Sequence, residues 1–187
     1  MTTVITTCGS LRKGSYNAAL ARQLPGFAPP GMSIKPAPAW DKMPIYNHDI
    51  QASTGFPADA ETWAAAIRAA DGVIFNSPEY NFSIPGGLKN AIDWVSRVPN
   101  QPFAGKPVAL QSATNGPLGG GRMQYDLRRC MLFLDAPTFG RPEIFIGNAS
   151  QRIDAATGQI IDETTKKLIG QQLAAFAKFI ERHGGKT

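Results

Sequence analysis

Residues 72–94 read GVIFNSPEYNFSIPGGLKNAIDW, and this stretch decides the fold. Val73-Ile74-Phe75 is an apolar run too short for a helix and rich in residues that suit a buried strand. Pro78 ends that strand, and Ser77, Glu79, Tyr80 and Asn81 form a polar loop with one aromatic. After Pro85-Gly86-Gly87, the residues Leu88, Ala91, Ile92 and Val95 recur at i, i+3, i+4 and i+7, which predicts an amphipathic helix. Strand, polar loop and helix make one unit of a parallel α/β sheet. In such sheets ligands bind at the loops beyond the carboxyl ends of the strands.

The same pattern opens the chain. Thr2 to Thr7, around Val4-Ile5, reads as a strand, and CGSLRKGSYN (residues 8–17) leads into a helix carrying Ala18, Ala19, Leu20 and Leu24. A loop of Gly and Ser running into a helix N-terminus can cradle an anion, because the first-turn N–H groups are free and carry the positive end of the helix dipole. Ser10, Arg12, Ser15 and Asn17 would ring a phosphate there. Ser15 is equally a good N-cap, so the spacing alone leaves both readings open. There is no GxxxxGK[ST] and no GxGxxG, which sets aside the Walker nucleotide triphosphatases and the dinucleotide fold.

Downstream, Pro107 to Ser112 is another buried strand, followed by ATNGPLGGGR (residues 113–122), whose three consecutive glycines allow a sharp turn or close approach to a ligand. Met123, Leu127, Cys130, Met131 and Leu134 then mark one face of a helix, with Cys130 as a small core residue. A fifth strand is expected within Thr138–Ile146 and a last helix over about Asp162–His183. Residues 25–57 read as loop-rich, with one weak strand around Ser33-Ile34-Lys35. Trp40, Met43, Pro44 and Tyr46 in that segment are expected either to pack under a long loop or to form an oligomer surface. Pro57–Ala70 reads as a helix with Trp63, Ala66, Ile67 and Ala70 on one face. Strands and helices thus alternate without repeats or linkers, which predicts one α/β domain over residues 1–187. The expected architecture is a three-layer α/β/α sandwich on a five-stranded parallel sheet. In the flavodoxin-like order 2-1-3-4-5, strands one, three and four are neighbours, and their three polar loops meet in one crevice.

Composition bounds the function. The 187 residues include 43% hydrophobic and 18% charged residues, as in an ordinary globular protein, with no apolar run near the ~20 residues of a membrane span. The N-terminal sequence has no charged n-region followed by a long apolar core, and Cys8 and Cys130 fit a reduced protein; a cytoplasmic location is expected. The formal charge of +5 is spread in pairs and singles rather than in a basic run, so no nucleic-acid partner is expected; an electropositive mouth for a phosphorylated cofactor is. His48 and His183 stand far apart and match no metal-site spacing, and no Ser-His-Asp or Cys-His arrangement is visible. His48 reads as solvated rather than catalytic.

The stretches GSLRKGSYN (9–17), SPEYNFSIPGGLKNAIDW (77–94), AGKPVALQSATNGPLGGGRMQYDLRR (104–129) and RPEIFIGNA (141–149) resemble the motifs of the NADPH-dependent FMN reductase family. That family includes bacterial quinone, azo and chromate reductases of flavodoxin-like fold. The resemblance runs to about Gln159. It implies that Ser10, Arg12, Ser15, Tyr16 and Asn17 hold the FMN phosphate and that Pro78, Glu79, Tyr80 and Asn81 lie along the isoalloxazine edge. Ser112, Thr114, Asn115, Gly116 and Gly119 would close the site. It further implies a homodimer or homotetramer with the flavin near a subunit interface. Two departures stand out: Phe82, where many relatives have a small residue, and Thr114-Asn115, where a pair such as Ser-Pro is commoner.

The chemistry implied by this resemblance is that of an NAD(P)H-dependent FMN reductase. NADPH or NADH would reduce bound FMN by hydride transfer to N5, and a second acceptor, a quinone first of all, would take two electrons. Azo compounds, chromate or free flavin are further acceptors of the same kind. No protein nucleophile is needed, and no catalytic residue or metal is assigned. The alternatives are a flavodoxin-type electron carrier, against which the basic charge stands, and a flavin-binding regulatory protein without turnover.

Overall fold

The computed structural model describes residues 1–183. Five parallel strands form one sheet: β1 (Thr2–Cys8), β2 (Met32–Pro36), β3 (Gly72–Asn76), β4 (Val108–Ala113) and β5 (Ile144–Ile146), in the order β2-β1-β3-β4-β5. β3 and β4 are buried at every position, as the uninterrupted apolar run of 73–75 requires of a strand covered on both faces.

Helices cover both faces. Around the sheet run α1 (Tyr16–Gln23), α2 (His48–Thr54), α3 (Ala58–Ala69), α4 (Gly86–Val95), α5 (Gly121–Phe133), α6 (Ala149–Arg152) and α7 (Glu163–His183). One core joins Trp63 and Ile67 of α3, Leu88, Ala91, Ile92 and Val95 of α4 and Met123, Leu127 and Met131 of α5 to Val73, Phe75 and Leu110 of the sheet. The other joins Leu20 of α1 and Ile169, Leu173, Phe176 and Ile180 of α7 to Val4, Ile74 and Ala109. Alternate residues along β3, Val73 and Phe75 against Ile74, therefore feed opposite cores, as a pleated strand dictates.

The segment expected to be loop-rich holds more structure than its composition suggests. A 3-10 turn covers Leu24–Phe27, and α2 starts at His48 with Asn47 as its N-cap, its side chain accepting from the N–H of Asp49. Trp40 and Met43 are buried in the α3–α4 core rather than displayed on a surface. The indole N–H of Trp40 donates to the Cys8 carbonyl at 3.0 Å, and that of Trp94 to the Pro44 carbonyl at 2.7 Å. These two bonds hold the long connection down along the sheet's carboxyl edge. β5 lies within the expected Thr138–Ile146, after Pro142, and Thr138 makes a single bridge to Val108.

Candidate functional site

Three loops leave the carboxyl ends of β1, β3 and β4 and converge on a cavity of about 280 Å³. Its walls are Ser10, Arg12, Ser15, Tyr16 and Asn17 from the first loop, Pro78, Glu79 and Tyr80 from the second, and Ala113, Thr114 and Asn115 from the third. The register explains the convergence. β3 lies between β1 and β4, with Cys8 opposite Asn76 and Asn76 opposite Gln111, so the three chains leave the sheet side by side.

The first loop is a donor cradle. Ser15 is the N-cap of α1, its Oγ accepting from the N–H of Ala18 at 3.2 Å, which is the capping reading of this residue. The cap leaves the first-turn N–H groups of Tyr16 and Asn17 without intrahelical acceptors. The Ser10 hydroxyl takes the Arg12 N–H at 3.4 Å, and the exposed Arg12 guanidinium bonds the Gly14 carbonyl at 2.5 Å and lies 5.5 Å from the centre of the Tyr16 ring. Gly9 is required where it stands: its N–H bonds the Asn76 carbonyl at 2.8 Å, and a Cβ there would strike the Ser77 hydroxyl. The Cys8 thiol donates to the Ser10 carbonyl at 3.5 Å, and burial pushes its pKa up, so it is a packed thiol behind the loop rather than a nucleophile.

Asn17 belongs to the wall in a way its sequence position does not reveal. Gln111 and Ala113 turn the same backbone edge toward β3, since the Gln111 carbonyl accepts from the N–H of Ser77 at 3.1 Å. β3 then departs at Pro78, and Ala113 would be left unpaired. The Asn17 carboxamide takes the missing place, donating to the Ala113 carbonyl at 2.8 Å and accepting from its N–H at 2.9 Å. Its side chain is thus spent on β4, and what Asn17 offers the cavity is its backbone N–H.

In the second loop, the Glu79 carboxylate, 12% exposed, accepts from the guanidinium of Arg122 and from the N–H of Met123, both at 3.2 Å. It therefore neutralises a cation and caps the N-terminus of α5. The third loop is pinned from below. Ser112 is fully buried; its hydroxyl donates to the Gly119 carbonyl at 2.5 Å and accepts from Gln124 at 2.7 Å. Gly119, at φ +58°, is packed so close to the end of β5 that a Cβ would lie 2.6 Å from the Phe145 carbonyl carbon. Ser112, Gly116 and Gly119 accordingly shape the loop from behind the wall, and Asn81 sits in the turn beyond Tyr80. Ala113 lines the cavity without having been singled out from sequence; an alanine at a strand end carries no signal.

The donor set suits an FMN phosphate: two free helix N–H groups, two hydroxyls and a guanidinium, with the one carboxylate of the wall already paired. A larger cavity, about 440 Å³, lies across α1, between Leu11, Ile34 and Trp40, but its walls are apolar apart from Thr6, Cys8, Arg22 and Asp41 and offer no such cluster.

Comparison with known proteins places this arrangement. The model of the family described as NADPH-dependent FMN reductase matches residues 2–151. The chain is 49% identical over 179 residues to a quinone reductase of Escherichia coli (strain K12), covering 96% of this chain and 95% of that one. It is 46% identical over 182 residues to an NAD(P)H-dependent FMN reductase of Pseudomonas aeruginosa, covering 97% of each. Among solved structures, the flavoenzyme NAD(P)H:(acceptor) oxidoreductase FerB of Paracoccus denitrificans superposes with a TM-score of 0.86 at 32% identity, covering 98% of this chain and 99% of that one.

Proposed function

The chain belongs to the NADPH-dependent FMN reductase family, and from that premise we infer that it is an FMN-dependent NAD(P)H oxidoreductase whose acceptors are quinones. The observation that carries this reading is the convergence of three strand-end loops on one cavity, with anion donors at the β1 loop and the Pro78–Tyr80 segment opposite. FMN held by these loops would supply two-electron redox chemistry between NAD(P)H and a quinone.

The chain's own residues do the rest. Ser10, Ser15, Arg12 and the N–H groups of Tyr16 and Asn17 hold the phosphate. Pro78, Glu79 and Tyr80 border the ring system, with Asn81 at the turn, and Thr114 and Asn115 close the third side. Ser112, Gly116 and Gly119 set that loop's path. The Glu79 ion pair with Arg122 keeps the β3 loop against α5, so the residues that would border the ring system are in place before any ligand arrives. The net charge of +5 draws anionic nucleotides and does not favour a flavodoxin-type carrier.

We assign the protein to the cytoplasm, in keeping with its two unpaired cysteines; among the described residues no helix is long and apolar enough to cross a membrane. We also take the single α/β domain to assemble as a homodimer or homotetramer. The support is an α5 end on which Leu132 and Phe133 are each 80% exposed, beside a groove lined by Ile84, Ile92 and Cys130.

The test is spectroscopic. Protein incubated with FMN and desalted should retain flavin bands. Anaerobic NADPH should bleach them, and a naphthoquinone should restore them. Retained bands that NADPH does not bleach would leave a carrier, and no retained flavin would refute the site.

A further inference from the structure

α1 turns a stripe of small residues toward the connection that follows β2. Ala18, Ala21, Arg22 and Pro25 recur at i, i+3, i+4 and i+7, the spacing at which a surface helix ordinarily sets large apolar side chains against its neighbour. The large residues beside them, Leu20 and Leu24, go to the α7 core instead. What the small stripe leaves is the cavity of about 440 Å³ between α1 and residues 34–41, a size at which folds hold small molecules.

The walls of this cavity are stiff and its polar groups are unspent. Pro25, Pro36 and Pro38 fix their own backbone angles, and the Trp40 ring is held by its N–H bond to the Cys8 carbonyl at 3.0 Å. The floor is β1, where Thr6 and Cys8 share one face of the strand. Thr6 is only 7% exposed; its hydroxyl accepts from the Asn76 carboxamide at 2.6 Å, and among the described residues its own proton has no acceptor. At the mouth, the Arg22 guanidinium makes no hydrogen bond or ion pair among the described residues, Asp41 included. Burial raises the Cys8 pKa, and Arg22 opposes that rise, so the cation acts on the interior.

The groups turned into the cavity are thus a buried hydroxyl donor and a cationic donor, set between small apolar walls and an indole. An anionic acceptor on a flat apolar body satisfies both. The partition between this cavity and the cofactor's is the phosphate loop itself: Leu11 lines the one, Ser10 and Arg12 line the other, and the Cys8 thiol bonds the Ser10 carbonyl. α1 packs on the face of the sheet opposite α4 and α5, so assembly through the α5 end leaves the cavity open. We propose that this cavity is a second ligand site, which takes a planar aromatic carboxylate and braces the phosphate loop from behind. The bracing rests on the FMN reading of the neighbouring cavity; the site itself does not.

The probe is 2-naphthoate, titrated calorimetrically into protein with FMN bound, so that the cofactor cavity is already filled. It should bind with a Kd of about 0.1–1 mM, as suits a ligand of its size. Neutral 2-naphthamide should bind about five- to tenfold more weakly, and Arg22→Gln should remove that difference, because the cation is what tells the two apart. Ala21→Leu, which extends a side chain into the void, should weaken naphthoate at least about tenfold. Neither residue borders the cofactor cavity, so both variants should keep their flavin bands. Saturating naphthoate should lower the Kd for FMN about fivefold, and FMN should lower that for naphthoate by the same factor, as linkage requires. No binding to the wild type would overturn the site. So would binding that both variants leave unchanged and a naphthoquinone displaces, which would place naphthoate on the flavin. An FMN affinity that naphthoate does not move would overturn the bracing. A protein that binds naphthoate as expected but retains no FMN would refute the flavin reading and leave the cavity standing.

Discussion

Replacing Asn17 with alanine tests whether one side chain welds the phosphate loop to the β4 loop. The carboxamide is 2% exposed and makes both of its bonds to the backbone of Ala113, itself 2% exposed. Alanine would leave a buried N–H and a buried carbonyl without partners. Each such orphan costs about 1–3 kcal/mol, and water entering from the neighbouring cavity would relieve part, so the expected loss is about 2–4 kcal/mol. Against a typical total of about 5–15 kcal/mol this is a large fraction. With a urea slope near 2–3 kcal/mol/M, the midpoint should fall by about 1 M at unchanged slope. The measurement belongs on flavin-free protein, so that weakened cofactor binding does not add to the shift through mass action. Asn17→Asp is the sharper variant: it keeps an acceptor for the Ala113 N–H but turns an oxygen toward the Ala113 carbonyl, and it should be no more stable than alanine. A loss under about 0.5 kcal/mol for Asn17→Ala, or wild-type stability for Asn17→Asp, would refute the strand-completing role.

Other perturbations separate the parts of the site. Arg12→Ala should weaken FMN binding about tenfold while leaving riboflavin binding unchanged, because the exposed guanidinium, held by the Gly14 carbonyl and the Tyr16 ring, faces the phosphate end of the cavity; equal losses for both flavins, read by fluorescence quenching, would move Arg12 elsewhere. Asp162 caps α7 by accepting from the Thr165 hydroxyl and N–H, the former contributing most and Arg152 less, and its carboxyl is held below the ordinary aspartate value of 3.8. A depressed carboxylate contributes stability that is present above its unfolded value and lost as pH falls through the folded one. Asp162→Asn should therefore flatten the pH dependence of unfolding below about pH 4 and change little at neutrality, and an unaltered acid limb would refute this. Burial raises the pKa of Cys8 and of Cys130, so iodoacetamide at pH 7.5 should alkylate the folded protein at least about tenfold more slowly than the urea-unfolded chain; equal rates would contradict the packed-thiol reading.

The parts of this molecule that a one-dimensional pattern encodes were legible. Apolar runs bounded by Gly and Pro marked the strands, the helical spacing of Leu88 to Val95 marked α4, and alternation implied a parallel sheet whose strand order the structure shows. The loops that converge were identifiable because polar residues and glycines directly follow buried strands. What stayed hidden depends on partners distant in sequence. The role of Ser112 requires Gly119 and Gln124, and that of Glu79 requires a helix start forty-four residues later. α2 has no buried residue and so no apolar stripe to betray it. The burial of Trp40 and Met43 follows from indole bonds at Cys8 and Pro44 that no periodicity announces.

The two ends of the site are made of different material, and this divides what can vary. The phosphate end is tied into the sheet: beside the side chains of Ser10, Arg12 and Ser15 it has helix N–H groups, a glycine pressed on Ser77 and a carboxamide filling a strand's place, so a change at Gly9 or Asn17 disturbs the sheet. The rim at Asn81-Phe82 is a two-residue turn whose ladder consists of two bonds between Tyr80 and Ser83, neither of which involves the Phe82 side chain. Exchanging that side chain leaves every strand pairing intact and, by easing a left-handed residue, need not lower stability. The turn is therefore separable from the cofactor end in this fold: substitutions at residue 82 should leave FMN retention unchanged, while Asn17 moves FMN retention and the fold together.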